Sequence, residues 1–281
     1  MLVEHTVVEL RKRIQRWRGI HQKVALVPTM GNLHAGHIAL VKRARELADR
    51  VVVSIFVNPT QFGPKEDFAA YPRTPDADRL QLAVAGVDLL FTPEVDEVYP
   101  GGMEQITRVE VPALAGILEG ASRPAHFTGV ATVVNKLFNM VQPDVAVFGE
   151  KDYQQLSIIR RMAADLCMPV EIVGAPTVRE SDGLAMSSRN QYLSAEERRI
   201  APWIFAELTR AAGRLEAGES DYAVIEHTGR EALEVVGLRP EYFSVRAKDL
   251  SVPAAGAKEL VVLAAARLGR ARLIDNVQVT R

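Results

Sequence analysis

The sequence predicts an α/β protein, a parallel-sheet domain followed by a smaller α+β domain at the C-terminus. Short, largely apolar runs at 24–27, 51–57 and 87–91 alternate with helical patterns, the order of strands joined by right-handed parallel crossovers. Polar residues gather directly after these runs, where open α/β sheets keep their ligand crevice. At 281 residues the chain also exceeds the usual size of a single core.

Residues 7–18 form a short amphipathic helix, basic on its outer face through Arg11, Lys12, Arg13, Arg16 and Arg18, which reads as a solvated surface. The run 24–27 is β-branched at both ends and uncharged, as a buried parallel strand requires. It breaks at Pro28 and Gly31. From Gly36 the spacing becomes helical, with Leu40, Val41, Ala44, Leu47 and Ala48 on one face and Lys42, Arg43, Arg45 and Glu46 on the other. This strand, glycine-bearing turn and helix aims backbone N–H groups and a positive helix end at the turn, a site for phosphate. His34 and His37 stand at its mouth. Across a helix start they can donate two hydrogen bonds to phosphoryl oxygens and stabilise charge on a departing phosphate. The alternative is that both histidines cap the helix. Neither Walker A nor G-x-G-x-x-G fits the turn.

The run 51–57 is a second buried strand, stopped by Asn58-Pro59. The loop 60–75 carries Gln61, Tyr71 and Arg73 and is expected to face the histidines. A helix over 76–85 leads through Gly86 to the strand 87–91. Residues 92–129 are less regular, with Tyr99-Pro-Gly-Gly102, a strand expected at 106–111, and a loop that gathers Glu119, Arg123 and His126. That loop reads equally as exposed connection or as part of a site. A helix at 130–141 precedes a strand at 144–148.

Gly149-Glu-Lys-Asp-Tyr-Gln-Gln155 then opens a helix that runs to about 166. Lys151 can place a point charge on phosphate, and Asp152 can accept from ribose hydroxyls or cap the helix. After a short strand at 170–173, Met186-Ser-Ser-Arg189 offers hydroxyls, backbone donors and a guanidinium to a polyphosphate. Ser194 caps a long helix that begins at Ala195, with Glu196 and Glu197 in its first turn. Helices over 195–216 and 221–236 and strands near 241–246, 259–265 and 272–279 complete the smaller domain.

A net charge of −1 with scattered basic residues gives no footprint for nucleic acid or an anionic membrane. Cys167 stands alone, which excludes an intramolecular disulfide and a cysteine-rich zinc site, and it reads as a small core residue between Leu166 and Met168. No window reaches a membrane span, so a cytoplasmic protein is expected.

Pro28-Thr-Met-Gly-Asn-Leu-His-Ala-Gly-His37, Phe56-Val-Asn-Pro-Thr-Gln-Phe62, Tyr71-Pro-Arg-Thr74, Gly149-Glu-Lys-Asp152 and Met186-Ser-Ser-Arg-Asn190 together resemble the pantoate–β-alanine ligase family over nearly the whole chain. The histidine pair alone resembles the wider nucleotidyltransferase group related to class I aminoacyl-tRNA synthetases. The resemblance implies a Rossmann-like nucleotide- and pantoate-binding domain over 1–176 and a smaller domain over 177–281 that closes over the ATP site. It implies a Mg²⁺-dependent ligation in which ATP and (R)-pantoate give pantoyl adenylate and pyrophosphate, and β-alanine then displaces AMP to give pantothenate.

By motif position, Met30, Gly31, Asn32, Leu33, His34, Ala35, Gly36 and His37 would bind ATP, with His37, His34 and Lys151 catalytic on its phosphates. Gly149, Glu150 and Asp152 would lie along the nucleotide, Gly149 and Asp152 holding the ribose. Val178 would meet adenine through its backbone, and Met186, Ser187, Ser188 and Arg189 would close over the triphosphate. Gln61 and Gln155 would bind pantoate, with Gln61 also near β-alanine. A homodimer is the implied assembly. One departure is Thr60, where many relatives carry methionine, and no aspartate cluster marks a metal site. Two rival readings use the same histidines: a nucleotidylyltransferase that forms no amide, and a silent nucleotide-binding scaffold.

Overall fold

Val24, Ala25, Leu26 and Val27 are fully buried, as a strand covered on both faces demands. The computed structural model describes residues 1–63, 68 and 71–281, so 64–67, 69 and 70 of the 60–75 loop lie outside the described residues. The chain divides into two units: Met1–Glu150 with Ile158–Pro176, and Lys151–Ser157 with Thr177–Arg281.

The first unit runs β1 (Leu2–Glu4), α1 (Val7–Arg18), β2 (Val24–Thr29), α2 (Ala35–Leu47), β3 (Arg50–Ile55), α3 (Pro75–Val84) and β4 (Leu89–Phe91). It continues through three single turns, α4 (Val95–Val98), α5 (Pro112–Ala115) and α6 (Glu119–Ser122), to α7 (His126–Val141) and β5 (Val145–Gly149). Then α8 (Tyr153–Asp165), whose first residues belong to the other unit, leads to β6 (Glu171–Ala175). The strands form one parallel sheet in the order β1-β4-β3-β2-β5-β6, the Rossmann-like α/β arrangement expected.

One face packs Ala25, Val27, Val51, Val53, Val145 and Val147 against Val41 and Ala44 of α2 and Leu82 of α3. Each fully buried valine or leucine there adds roughly 1.5–3 kcal/mol of apolar transfer energy. The sheet grows outward from β2 in both directions, through β3 on one side and β5 on the other. The carboxyl end of β2 is therefore at the topological switch point, where such sheets bind ligands.

The second unit holds α9 (Ala195–Ile200), α10 (Trp203–Glu216) and α11 (Tyr222–Val235) with an antiparallel sheet β7 (Arg239–Ala247), β8 (Glu259–Leu268) and β9 (Ala271–Thr280). Leu260, Val262, Ala264, Ala266 and Leu268 alternate along β8 and share a core with Ile204, Leu208 and Leu215 of α10 and Ile225 and Leu233 of α11.

Several expectations need correction. No strand forms at 106–111, because the Val109 amide donates to Thr132 Oγ1 of α7 at 3.0 Å and not to a neighbouring strand. The helix expected at 130–141 begins at His126, after Ala125 turns the chain with φ +65°. The helix expected over 195–216 divides at Pro202, which has no amide hydrogen to continue the ladder. Cys167 is exposed, not core: it occupies a left-handed turn (φ +51°) just past α8. Apart from these corrections, Lys151–Ser157 groups with the second unit. Asn276 donates to the Lys151 carbonyl at 3.0 Å and the Tyr153 hydroxyl donates to the Lys248 carbonyl at 2.8 Å, which ties the segment to that unit's sheet.

Candidate active site

Beyond β2 the chain turns through Gly31 and Asn32, with φ of +80° and +51°. Glycine adopts this backbone freely, and a Cβ at Gly31 would also lie 3.1 Å from both Asp78 Oδ2 and Ile55 Cγ2. Asp78, 1% exposed on α3, closes the turn. Its carboxylate accepts the amides of Asn32 at 2.9 Å and Leu33 at 2.8 Å and the Thr74 hydroxyl at 3.0 Å.

His34 is the N-cap of α2. Its Nδ1 accepts the Gly36 amide at 3.1 Å, while His37 Nδ1 accepts the His34 amide at 3.2 Å, a reciprocal capping box. The ring centroids are 4.1 Å apart. A ring nitrogen that accepts an N–H carries no proton, so this hydrogen-bond network assigns the proton of each neutral imidazole to Nε2. Capping and donation to phosphate are therefore compatible, one through each nitrogen of the same ring.

The backbone amides of the turn behave differently from expectation. Gly31 donates to Thr29 Oγ1, Asn32 and Leu33 to Asp78, His34 to His37, Gly36 to His34, and His37 to the His34 carbonyl. Only the Ala35 amide of residues 31–37 lacks an acceptor among the described residues. The backbone of this turn thus leaves one amide, that of Ala35, for any other acceptor among the described residues.

After β3, Asn58 is 1% exposed and makes full use of its amide. Its Oδ1 accepts from the Tyr99 hydroxyl at 2.8 Å and the Thr60 hydroxyl at 3.0 Å; its Nδ2 donates to the Gly129 carbonyl at 3.1 Å and to Gln61 Oε1 at 3.3 Å. A Cβ on Gly129 would stand 2.4 Å from the Thr60 carbonyl, so only glycine lets α7 approach this closely. His126 Nδ1 bonds the Gln61 carbonyl at 2.9 Å, and Arg123 lies 3.0 Å from His126 Nε2. A guanidinium only donates, so His126 accepts at Nε2 and donates from Nδ1. Arg123 and His126 are thereby structural supports of the 58–61 turn. Gln61 Nε2 lies 2.8 Å from Met30 Sδ, which brings together two of the residues singled out in sequence.

In the second unit, Lys151 keeps its side chain 16% exposed, 3.8 Å from Asp152 Oδ1. Gln155 is half-buried in the first turns of α8, and its side-chain amide has no partner among the described residues. The Val178 carbonyl accepts the Met186 amide at 2.9 Å, and Ser187 caps a short 3₁₀ turn (Ser188–Tyr192) by accepting from the Arg189 amide. Arg189 itself is exposed. Arg179 forms a two-pronged ion pair with buried Asp275, at 2.6 and 3.0 Å, and stacks 3.6 Å from the Phe205 ring centre. Burial pushes the Asp275 carboxyl up, and Arg179 opposes that push.

Asp78, Tyr99, Arg179 and Asn276 were not found from sequence. Asp78 is one of two acids, with Asp76, in the first turn of α3, and only the structure shows which groups it serves. Among the described residues, no cluster of three or more metal-binding side chains occurs, and no helix is long and apolar enough to cross a membrane.

The chain matches the family model "Pantoate-beta-alanine ligase" over residues 2–278. It is 60% identical to the pantothenate synthetase of Thioalkalivibrio sulfidiphilus, over 99% of this chain and 98% of that one. Against the crystal structure of pantothenate synthetase from Thermus thermophilus it aligns over all of both chains with a TM-score of 0.93 at 49% identity. The pantoate-beta-alanine ligase of Francisella tularensis, crystallised with beta-gamma ATP and beta-alanine, aligns over 99% of this chain and 97% of that one, with a TM-score of 0.82 at 35% identity.

Proposed function

Since the chain belongs to the pantoate–β-alanine ligase family, its reaction is the ATP-dependent condensation of pantoate with β-alanine, and we propose the steps and residues that carry it out. A carboxylate is a poor electrophile at neutral pH. In the first step a pantoate carboxylate oxygen attacks the α-phosphorus of ATP, the bond to the bridging oxygen breaks, and pyrophosphate leaves. In the second, the free amine of β-alanine attacks the acyl carbon of pantoyl adenylate, AMP leaves, and a proton is lost from nitrogen. No covalent enzyme nucleophile is needed.

Catalysis is positioning plus electrostatic stabilisation. His37 and His34 donate from Nε2 to phosphate oxygens, and Lys151 adds a point charge. Met30 and residues 31–36 shape the nucleotide site, Gly149, Glu150 and Asp152 lie along it, and Val178 meets adenine. Met186, Ser187, Ser188 and Arg189 hold the triphosphate from the smaller domain, while Gln61 and Gln155 bind pantoate. The reciprocal capping of His34 and His37 carries this reading, because it fixes both rings as Nε2–H donors before any substrate arrives.

With no cluster of three metal-binding side chains among the described residues, Mg²⁺ fits as an ion brought by ATP and held by phosphate oxygens and water. It would neutralise phosphate charge there. A homodimer in the cytoplasm completes the reading; the family resemblance supports the first, and use of ATP with an exposed thiol at Cys167 the second.

The test is pantoate-dependent exchange of labelled pyrophosphate into ATP, with Mg²⁺ and without β-alanine. Exchange that requires pantoate supports adenylate formation. No exchange in protein that binds ATP and makes pantothenate when β-alanine is present would remove a free adenylate from the mechanism.

A further inference from the structure

Asp78 is a buried carboxylate that pairs with no Lys or Arg among the described residues. Placing a charge there costs several kcal/mol unless hydrogen bonds offset it. Three donors do so, and two are consecutive backbone amides, Asn32 and Leu33, lying 46 and 45 positions away in the chain. The same helix also holds the other end of Leu33, whose carbonyl lies 3.5 Å from Gln81 Nε2. Leu82, fully buried one residue on, anchors this face of α3 in the core.

The amides that Asp78 holds belong to a backbone that does not rest easily. Asn32 occupies the left-handed region, which costs a residue with a Cβ about 1–3 kcal/mol and persists only where its surroundings enforce it. The next residue after Leu33 is His34, whose own amide binds His37 Nδ1. Asp78 thus fixes the backbone from which the capping box starts, and the box fixes both imidazoles.

We propose that Asp78 is a positioning residue of the adenylation step: by holding the Asn32 and Leu33 amides it sets where the His34 and His37 Nε2–H groups point. This deepens the functional reading above and rests on it. The carboxylate touches no substrate. It takes up the amides that an unassisted turn would offer to phosphate and leaves the anion to the rings, whose placement must be accurate.

The test compares Asp78→Asn with His37→Ala. The amide keeps the size of the side chain but loses one acceptor, which releases one of the two loop amides. Per folded active site, kcat for pantoate-dependent pyrophosphate exchange is expected to fall about 10- to 100-fold, the penalty of a displacement near 1 Å. The pantoate KM is expected to stay within about twofold, since Gln61 and its supports are untouched. A structural role alone would lower the yield of active sites and leave kcat per site unchanged, and that result overturns the proposal. Loss in His37→Ala without loss in Asp78→Asn also overturns it, whereas exchange unaffected by either change defeats the histidine reading on which it rests. If Asp78→Asn does not fold, amide hydrogen exchange on the wild type decides. The Asn32 and Leu33 amides are expected to exchange on the order of 10² times slower than free peptide, and unprotected amides overturn the proposal.

Discussion

The His37 ring accepts the backbone amide of His34 at Nδ1, and the two rings lie 4.1 Å apart with a 48° tilt. With His34 Nδ1 accepting from Gly36 in turn, neither ring can carry a proton on Nδ1 without losing its bond. Both histidines are therefore expected as neutral Nε2–H tautomers. Long-range ¹H–¹⁵N correlation on ¹⁵N-histidine protein checks this directly, and an Nδ1–H signal from either residue would contradict the capping geometry.

His37→Ala removes one donor and one half of the box. Loss of a preorganised donor at developing charge costs about 10²–10³ in rate. Loss of a cap costs about 1 kcal/mol of stability. Pyrophosphate exchange should fall by that factor in a protein that still unfolds cooperatively. Near-normal exchange would take His37 out of the mechanism.

Tyr99 is 1% exposed, and its hydroxyl, whose pKa burial pushes up, donates to Asn58, which in turn donates to Gln61. Tyr99→Phe removes one bond from Asn58 Oδ1, which keeps its bond from Thr60. The expected cost is about 0.5–1.5 kcal/mol in stability. Because the change acts through the Gln61 turn, the KM for pantoate should rise while that for ATP holds. A parallel rise in both would separate Tyr99 from pantoate binding.

These supports show where sequence reading stops. The strand 24–29 and the helix from Ala35 are legible because apolar spacing changes period at a glycine-bearing turn, a local signal. Ser194 is legible as a cap for the same reason, since its partner Glu197 is three residues away. The break at Pro202 is masked because the apolar spacing continues across it, although the backbone ladder cannot. The segment 106–111 has strand-like residues, but its amide partner is a threonine on α7. Asp78, Tyr99 and Asn276 act on groups 41 or more positions away, and spacing within a window carries no trace of such a bond.

Lys151 and Gln155 lie four residues apart yet should fail differently. Lys151 is held by the bond from Asn276 to its carbonyl, so truncating its side chain removes a charge and leaves the turn in place. Lys151→Ala should weaken the use of ATP. Gln155→Ala should raise the pantoate requirement more than that for ATP. Steady-state kinetics with each substrate varied separates them, and equal effects of Gln155→Ala on both substrates would count against its role.

Glu241 on β7 receives Arg267 Nε at 2.8 Å and Arg272 Nε at 2.9 Å. Burial pushes its carboxyl up, but the two guanidinium groups, Arg272 foremost, prevail and hold it below the ordinary carboxylate value. A carboxyl depressed in the folded state binds its proton more readily when unfolded, so it adds stability at pH values above the unfolded pKa. That contribution is lost as pH falls through the depressed folded value. Glu241→Gln should therefore cost about 1 kcal/mol near pH 7, the scale of a partly exposed ion pair. The gap from wild type should close in the acid range where the wild-type carboxyl becomes protonated. Denaturant unfolding at stepped pH measures it; a gap that stays constant from neutral to acid pH would show that the charge of Glu241 contributes nothing and that packing alone explains the loss.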